Sequence, residues 1–409
     1  MRRDLLRTGQ GLRIEEHREG GRLDALGDAW RRLFADAGEP VPFLSWEWLS
    51  TFRRRLAPRA ATWTLEAWDG DRLAGALALV ARPALGGGRR WQLLGNGLAG
   101  ADRLDVLARP DVAAEVRAAF AGILARGAWD ALDLEDLPCG SPTVGALRAA
   151  FLGAGARVDV ERGFTCPGFA VQGTWEAHAR RIGRRETFGR RVRWLARQPG
   201  FAIEVAAPDE VPAAFEDFLR LHRLRWSAEG GSAGIPDGPV ADFHREVVGH
   251  LAARGWLRLY RLRVGDAAVA AVYGVECGRR FFYYQSGYDP AWSARSPGMV
   301  LVGRTVEDAY ARGLVDYDFL RGTEAYKLDW ASDRRETVSI RARARSARGG
   351  VAWAVERAAG PARAAARAVA PAGLWAALSR ARRRVEARAV ARQAASAEAG
   401  AGGGDGGIG

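Results

Sequence analysis

The segment YRLRVGDAAVAAVYGV, Tyr260–Val275, predicts a β-hairpin from which the rest of the fold can be worked out. An extended run meets Gly265-Asp266, a dipeptide typical of tight turns, and a run of small apolar residues follows. A continuous apolar run of this length is typical of a strand that is buried on both faces. The next run, RRFFYYQSG at 279–287, predicts a third strand. Together these runs predict a meander of three consecutive strands.

The same pattern occurs 195 residues earlier. The segment LEAWDGDRLAGALALV, Leu65–Val80, turns at Gly70-Asp71, and RRWQLLGN at 89–96 follows it. Downstream, 120–138 and 307–324 each predict a helix that ends at Arg-Gly and a short strand that begins with Asp. Helical segments precede both hairpins. This order favours two diverged copies of one domain, with chance similarity between apolar strands as the alternative.

We therefore expect an α+β fold rather than a doubly wound sheet. Its two domains, 1–165 and 170–345, would each hold a mixed, mostly antiparallel sheet flanked by helices. In the second domain, the Gly/Pro/Ser-rich stretch 227–239 predicts a mobile loop. Residues 346–409 predict an Ala/Arg-rich helical tail with a disordered Gly-rich end.

The composition is that of a globular chain with an unusual ratio of arginine to lysine. Lys327 is the single lysine among 61 basic residues, which reports a coding bias toward arginine. Thirteen arginines and four acids lie from Arg341 onward, so the tail carries most of the net charge of +13. Three cysteines without CxxC spacing exclude a disulfide framework and a cysteine zinc site. The sequence has no stretch of 18 apolar residues and no signal-peptide core, so we expect a cytoplasmic protein.

The two copies differ most where a helix begins before the last strand of the repeat. The second copy reads RSPGMV from Arg295, and its Ser296, Pro297 and Gly298 suit a helix entry with open backbone N–H groups. The positive end of the helix dipole favours an anion there. The first copy has Asp111 at this point, a charge that opposes a phosphate. A phosphorylated donor is therefore expected in the second copy; an ordinary helix cap is the alternative.

Four motifs resemble the GNAT superfamily of acyl-CoA-dependent acyltransferases. They are similar, more narrowly, to its double-domain CelD-like branch, which is tied to cellulose or exopolysaccharide biosynthesis and is related to the FemAB aminoacyl transferases. The motifs are PFLSWEWLSTF (42–52), LHRLRW (221–226), YYQSGYDPAWSARSPG (283–298) and DFLRGTEAYKLDW (318–330). The resemblance covers about 40–345 and leaves the tail outside it.

The resemblance implies a donor site for acetyl-CoA or another acyl-CoA. In this family the turn before the helix cradles the pyrophosphate of the donor, and the preceding strand pairs with its pantetheine arm and polarises the thioester carbonyl. The residues that match the turn are Arg295, Ser296, Pro297, Gly298, Met299 and Val300, and those of the strand are Tyr284, Gln285 and Ser286. Val300 departs from the family signature, which has a second glycine or alanine there.

The resemblance also implies a catalytic cluster at 318–330. Glu324 and Asp318 are the acid–base candidates, and Tyr326 is the candidate proton donor. Lys327 is assigned to the same catalytic group, and either it or Arg321 would bind an anionic group. Arg225, Trp226 and Trp330 complete the predicted acceptor pocket. Structural alternatives remain open: Asp318 as a strand cap or a partner of Arg321, and Tyr326 and Trp330 as core aromatics.

A dense basic helix opens the second copy. It contains Arg180, Arg181, Arg184, Arg185, Arg190, Arg191, Arg193 and Arg197. It predicts either a solvated face or a site for an anionic partner: the phosphates of coenzyme A, a polyanionic glycan or tRNA. The five histidines show no metal-ligand spacing, so no metal is expected.

The leading hypothesis is an acyl-CoA-dependent N- or O-acyltransferase of a small-molecule or glycan acceptor. Its second copy would hold the donor and a degenerate first copy would shape the acceptor groove. A FemAB-like aminoacyl-tRNA-dependent transferase, the one reading with a nucleic-acid partner, and a non-catalytic polysaccharide-assembly scaffold are the alternatives. The basic tail predicts at most weak contact with an acidic membrane surface, at the inner face; a solvated helix is the other reading.

Overall fold

The computed structural model describes residues 2–9, 11–83, 89–228, 235–344, 349–350 and 353–354. Most of the predicted tail at 346–409, with its Gly-rich end, and residues 229–234 of the predicted loop lie outside these ranges. The chain divides into two compact units. The first comprises Met1–Gly163, Gly238–Phe243 and the residues from Thr337 onward, and the second comprises Phe164–Asp237 and His244–Glu336.

The first unit is a mixed sheet with helices before and after its hairpin. Its strands are β1 (Arg2–Arg7), β2 (Arg13–His17), β3 (Thr62–Asp69), β4 (Arg72–Pro83), β5 (Arg89–Leu93), β6 (Leu107–Ala108), β7 (Ala131–Pro138) and the start of β8 (Arg157–Ala170). Its helices are α1 (Arg22–Ala25), α2 (Gly27–Asp36), α3 (Trp46–Leu56), α4 (Ala113–Arg126) and α5 (Pro142–Gly153). The path β1-β2-β3-β4-β5-β7 is antiparallel except for the parallel β5–β7 pair.

The second unit repeats this plan. Its helices are α6 (Trp175–Arg181), α7 (Arg185–Leu195), α8 (Val211–Ala228), α9 (Pro239–Ala253), α10 (Pro297–Ala311) and α11 (Ala325–Leu328). Its strands are β9 (Ala202–Val205), β10 (Leu257–Val264), β11 (Ala267–Cys277), β12 (Arg280–Tyr288), β13 (Asp316–Asp318) and the start of β14 (Asp333–Arg343). The order is β9-β10-β11-β12-β13-β8, and the parallel pair is β12–β13.

The predicted α+β class and the repeated order are confirmed. In both units the hairpin turns at a glycine with positive φ, +57° at Gly70 and +60° at Gly265. The strand that follows each turn, β4 or β11, is buried along eight consecutive residues. The predicted glycine cap occurs after α10, where Gly313 has a φ of +64°, whereas Gly127 after α4 is extended.

The division of the chain differs from the predicted domains at two points. Thr337–Arg343 of β14 pairs with β7 and belongs to the first unit, although we predicted that the second domain ends at 345. Likewise, the end of β8 pairs with β13 and belongs to the second unit. The last strand of each sequence copy therefore completes the sheet of the other unit, an exchange that no local pattern encodes.

Aromatic side chains form the core of the second unit next to β13. The ring of Tyr317 lies 5.1 Å from that of Phe169, 4.7 Å from that of Phe319 and 4.8 Å from that of Phe281. Rings at these separations contribute favourable geometry beyond their burial. The cluster fixes the end of β13, after which the candidate catalytic loop begins. None of the helices that the structure describes has the length and hydropathy to cross a membrane.

The two hairpin turns predict a measurable backbone effect. A Cβ atom at Gly70 or Gly265 meets no atom within 4 Å. The only cost of Gly70→Ala or Gly265→Ala is therefore the energy of holding an alanine in the left-handed backbone conformation. We expect each to lower the free energy of unfolding by about 1 kcal/mol in urea titrations. Gly145→Ala, on the exposed face of α5, is the matched control and should stabilise by up to about 1 kcal/mol. Neutral turn variants would contradict the assigned turns.

Candidate active site

Strand β12 leaves its parallel neighbour part-way along its length. It pairs with β13 only from Arg280 to Phe282, whereas its pairing with β11 continues to Tyr288. The register with β11 shifts between Tyr283 and Gln285, so Tyr284 is the extra residue of a β-bulge. Bulges bend a strand and re-aim its side chains, and they are frequent beside active sites. Beyond Phe282, the edge of β12 that faced β13 therefore has no strand partner among the described residues, and the region beside this edge is the candidate cleft.

The first turn of α10 has the open backbone N–H groups that an anion site needs. Ser296 precedes the helix with a φ of +53°, a left-handed conformation that is uncommon for a residue other than glycine. Pro297 has no N–H group, and the N–H of Val300 already donates to the carbonyl of Ser296. Within the described part of the chain, the N–H groups of Gly298 and Met299 meet no acceptor. Two open donors at the positive end of a 15-residue helix favour a bound anion.

Gly298 and Val300 of this turn have different surroundings. Gly298 lies against Tyr288, whose Cδ1 atom would be 3.3 Å from a Cβ placed there, so a larger residue would crowd the cleft. Val300 is fully buried in the core of the second unit. A valine at this position therefore contributes packing, and the departure from the signature leaves the backbone of Gly298 accessible.

The basic segment of α6 and α7 lies beside the same turn. Arg191 donates to the carbonyl of Ala294 at 2.9 Å, and the guanidinium of Arg295 lies 4.0 Å from the ring of Trp194. Of the other predicted arginines, Arg181 bonds His178 and Arg184 pairs with Asp329. The remaining five are exposed and pair with no acid among the residues that the structure describes: Arg180, Arg185, Arg190, Arg193 and Arg197. They add unneutralised positive charge near the helix entry.

Arg225 brings three predicted residues together. Its Nη1 atom donates to Ser286 Oγ at 2.8 Å, and its guanidinium lies 4.9 Å from the ring of Tyr326 and 4.7 Å from that of Trp226. The ring of Tyr288 lies 5.5 Å from it. Cation–π contacts of this kind strengthen when the cation is buried, and Arg225 is 9% exposed. Helix α8, strand β12 and the loop after β13 therefore meet at this guanidinium.

Tyr326 is a buried phenol beside Arg225. Burial, followed by the neighbouring Tyr283, raises its pKa well above the ordinary value. Its ring lies 6.1 Å from that of Tyr283. The phenol is protonated at neutral pH, and the raised pKa makes it a weaker acid than a free tyrosine. Its role as proton donor stays a prediction.

Lys327, the single lysine of the chain, contacts two residues of the loop that carries Glu324. Lys327 is 5% exposed, and its Nζ atom donates to the carbonyl of Arg321 and lies 3.2 Å from the carboxylate of Glu324. That carboxylate also packs against Gly322, where a Cβ would lie 2.3 Å from Oε2. The side chain of Glu324 is 41% exposed. It is therefore the acid of this loop that solvent and an acceptor can reach.

Other predicted residues are engaged in the fold. Asp318 is fully buried; it accepts a bond of 2.8 Å from the N–H of Leu320 and pairs with Arg335 at 3.3 Å. The guanidinium of Arg321 lies over the ring of Phe164 at 4.8 Å. Trp330 is 1% exposed and stacks on Trp175. The geometry favours the structural alternatives for Asp318 and Trp330, with Arg335 rather than Arg321 as the partner of Asp318.

Sequence reasoning did not assign His222 or His244 to the site. His244 Nε2 lies 3.3 Å from the hydroxyl of Tyr284, and His222 hydrogen-bonds the side chain of Gln285. The motif LHRLRW contains His222, but spacing alone does not reveal contacts between a helix and a strand.

One further histidine lies among carboxylates, although its spacing indicated no ligand cluster. Glu15, His17 and Glu66 of the first unit are buried, with possible ligand atoms within 4.8 Å of one another. Arg22 donates to both carboxylate oxygens of Glu66, at 2.7 and 2.6 Å. That guanidinium supplies the positive charge that a metal ion would bring, so the cluster is a neutralised ion-pair group.

In the first unit, β5 also leaves its parallel neighbour after three residues, Arg90 to Gln92, and a cavity lined by Trp30, Ala78 and Leu93 lies beside the end of β5. Strand β5 ends at Leu93, and β6 pairs with β4 at Gly75 and Ala76. Before α4, the carboxylate of Asp111 accepts hydrogen bonds from Arg109, which lower the pKa of Asp111. A negative charge stands where the second unit has open N–H groups, as the sequence indicated.

The chain is similar to several known proteins. Residues 183–328 match the family model described as an acetyltransferase (GNAT) domain. The chain is similar to the crystal structure of FemX, with a TM-score of 0.55 and 10% identity over 80% of this chain and 96% of that one. A tandem GNAT protein from the clavulanic acid biosynthesis pathway aligns with a TM-score of 0.43 and 15% identity, over 81% and 99% of the chains. No curated protein sequence matches the chain.

The likeness to FemX, at 10% identity, shows the fold alone. The chain is an acyltransferase, and its matched residues 183–328 contain β12, the entry of α10 and Glu324. The predicted α+β architecture of two repeated units is confirmed.

Replacing Asp318 separates its two possible roles. Asp318→Asn keeps the acceptor for the N–H of Leu320 but presents an amide to Arg335. If the role is structural, unfolding free energy falls by about 2–3 kcal/mol in denaturant titration, and folded enzyme keeps most of its activity. Unchanged stability with loss of activity would instead make Asp318 an acid–base residue.

Proposed function

We propose that the second unit transfers an acyl group from acyl-CoA to an amine or hydroxyl of its acceptor. The observation that carries this proposal is the combination of an opened strand with an open helix entry. The bulged edge of β12 after Phe282 and the free N–H groups of Gly298 and Met299 belong to one unit. A donor with a peptide-like arm and a diphosphate requires both features.

The residues present fit such a donor. The diphosphate would accept hydrogen bonds from Gly298 and Met299, with further positive charge from the exposed arginines of α7. Its pantetheine amides would pair with the edge of β12 near Gln285 and Ser286, as an added strand does. Backbone N–H groups of this edge would polarise the thioester carbonyl, an effect that can contribute about 3–4 kcal/mol to the barrier reduction.

We assign the proton acceptor and the proton donor of the reaction to Glu324 and Tyr326. The nucleophile of the acceptor attacks the carbonyl carbon of the thioester, and the carbon–sulfur bond breaks. Glu324, the reachable carboxylate, accepts the proton of the nucleophile. Tyr326, which is protonated at neutral pH, gives its proton to the departing thiolate. Lys327 holds the loop of Glu324 in place.

The acceptor is proposed from resemblance and from Arg225. The CelD-like motifs favour a glycan or another precursor of the cell envelope, which the enzyme would modify at the cytoplasmic face. Trp226, whose ring lies 4.7 Å from the guanidinium of Arg225, would contact this acceptor together with it.

Donor binding gives the direct test. Isothermal titration calorimetry with acetyl-CoA and longer acyl-CoAs should show binding to the wild type. Gly298→Glu should weaken it at least about a hundredfold, because a carboxylate would face the diphosphate and crowd Tyr288. Gly249→Glu on α9, where a Cβ meets open space, makes the same change of charge and should bind normally. No binding of any acyl-CoA by the wild type would sink the proposal.

A second candidate donor is aminoacyl-tRNA, which the five exposed arginines of α6 and α7 favour. Binding of tRNA would weaken steeply with salt, since each phosphate contact releases counterions. The triple variant Arg185→Ala, Arg190→Ala and Arg193→Ala should then reduce both the affinity and the salt slope. A control with Arg32→Ala, Arg55→Ala and Arg148→Ala loses the same charge from the first unit. If wild-type affinity for tRNA equals that of both variants, this candidate fails.

A further inference from the structure

Four consecutive residues of β12, Tyr284 to Gly287, are each held by helix α8 or α9. This is the segment that carries the bulge and borders the cleft. A strand that has left one neighbour has lost part of its hydrogen-bonding ladder, so other contacts must fix its position. For Tyr284 to Gly287, helices α8 and α9 supply these contacts.

The first two residues of the segment are held by buried histidines. His244 of α9 lies 3.3 Å from the hydroxyl of Tyr284, and the two rings are 5.2 Å apart. His222 of α8 hydrogen-bonds the side chain of Gln285. Burial lowers the pKa of His222 to about 4 and that of His244 to about 3, so both rings are neutral at pH 7. A neutral ring can accept at one nitrogen and donate at the other.

The next two residues are held by α8 alone. Arg225 donates to Ser286 Oγ at 2.8 Å. At Gly287 the strand approaches the helix backbone directly: a Cβ there would lie 2.2 Å from the nitrogen of His222 and 2.4 Å from the carbonyl carbon of Leu221. No side chain fits between them, and backbone atoms cannot give way as a flexible side chain can. Gly287 therefore sets the distance between α8 and β12.

We propose that His222, His244 and Arg225 are positioning residues that, with Gly287, clamp the bulged segment Tyr284–Gly287 in the orientation that the thioester requires. The clamp rests on the proposed acyl-CoA transfer, because its purpose is to aim the N–H groups of β12 at the donor carbonyl. The diphosphate is held by a different element, the entry of α10, and the pantetheine arm alone pairs with β12. Displacing the clamp should therefore lower kcat much more than donor affinity. A misplacement of about 1 Å can cost on the order of a hundredfold in rate.

The test compares Gly287→Ala with Gly249→Ala, since the second glycine has open space at its Cβ position. Gly287→Ala should lower kcat for thiol release at least about tenfold with the acyl-CoA dissociation constant within about threefold. Amide hydrogen exchange of 284–287 should become faster, and Gly249→Ala should change neither. Unaltered kcat and exchange in Gly287→Ala would overturn the clamp, as would equal losses of rate and donor affinity.

Smaller substitutions test the clamp even if Gly287→Ala fails to fold. Tyr284→Phe removes one hydroxyl, and His222→Gln keeps a donor and an acceptor that His222→Leu lacks. The clamp predicts lower kcat for Tyr284→Phe and His222→Leu and partial recovery in His222→Gln; equal rates in all three would contradict it. A wild type that neither binds acyl-CoA nor releases thiol would defeat the proposed function alone. The exchange measurement would still decide the clamp.

Discussion

The β-bulge at Tyr284 is the constraint on which the candidate site depends. It turns β12 away from β13 after three paired residues, while pairing with β11 continues on the other edge. Without this departure, the parallel pair would close and the entry of α10 would face a continuous sheet. The open edge is supported from α8 and α9, whose histidines, arginine and backbone contact the bulged segment. Packing thus replaces the hydrogen bonds that the strand gives up.

Two residues with positive φ flank the candidate site. Ser296 before α10 and Leu320 after β13 both adopt positive φ, at 53° and 57°. Such residues persist only where the surrounding structure holds them. Asp318 holds the N–H of Leu320, and Lys327 holds the carbonyl of Arg321. The first unit has the same order of strands and a cavity beside β5, and the two units differ at the helix entry, where Asp111 stands in the first and the N–H groups of Gly298 and Met299 in the second.

The sequence predicted what is local and missed what is distant. The Gly-Asp turns, the doubly buried strands and the helix entry at Ser296–Gly298 are encoded by neighbouring residues. The exchange of β14 and β8 between the units was missed, because a strand pattern does not name its partner. Asp318 and Trp330 were placed in the site by their motif, yet burial and their partners favour roles in the fold. The spacing of the sequence does not predict the contacts of His222 and His244, because these contacts join helices to a strand that is distant in the sequence.

In the second unit, the proposed donor lies across β12 and the entry of α10. A crystal structure with a non-hydrolysable acyl-CoA analogue tests this position most directly. The diphosphate should lie on the N–H groups of Gly298 and Met299, with the carbonyl of the analogue against the edge of β12 at Gln285 and Ser286. An analogue bound in the first unit, or bound in the second with its diphosphate away from α10, would contradict it.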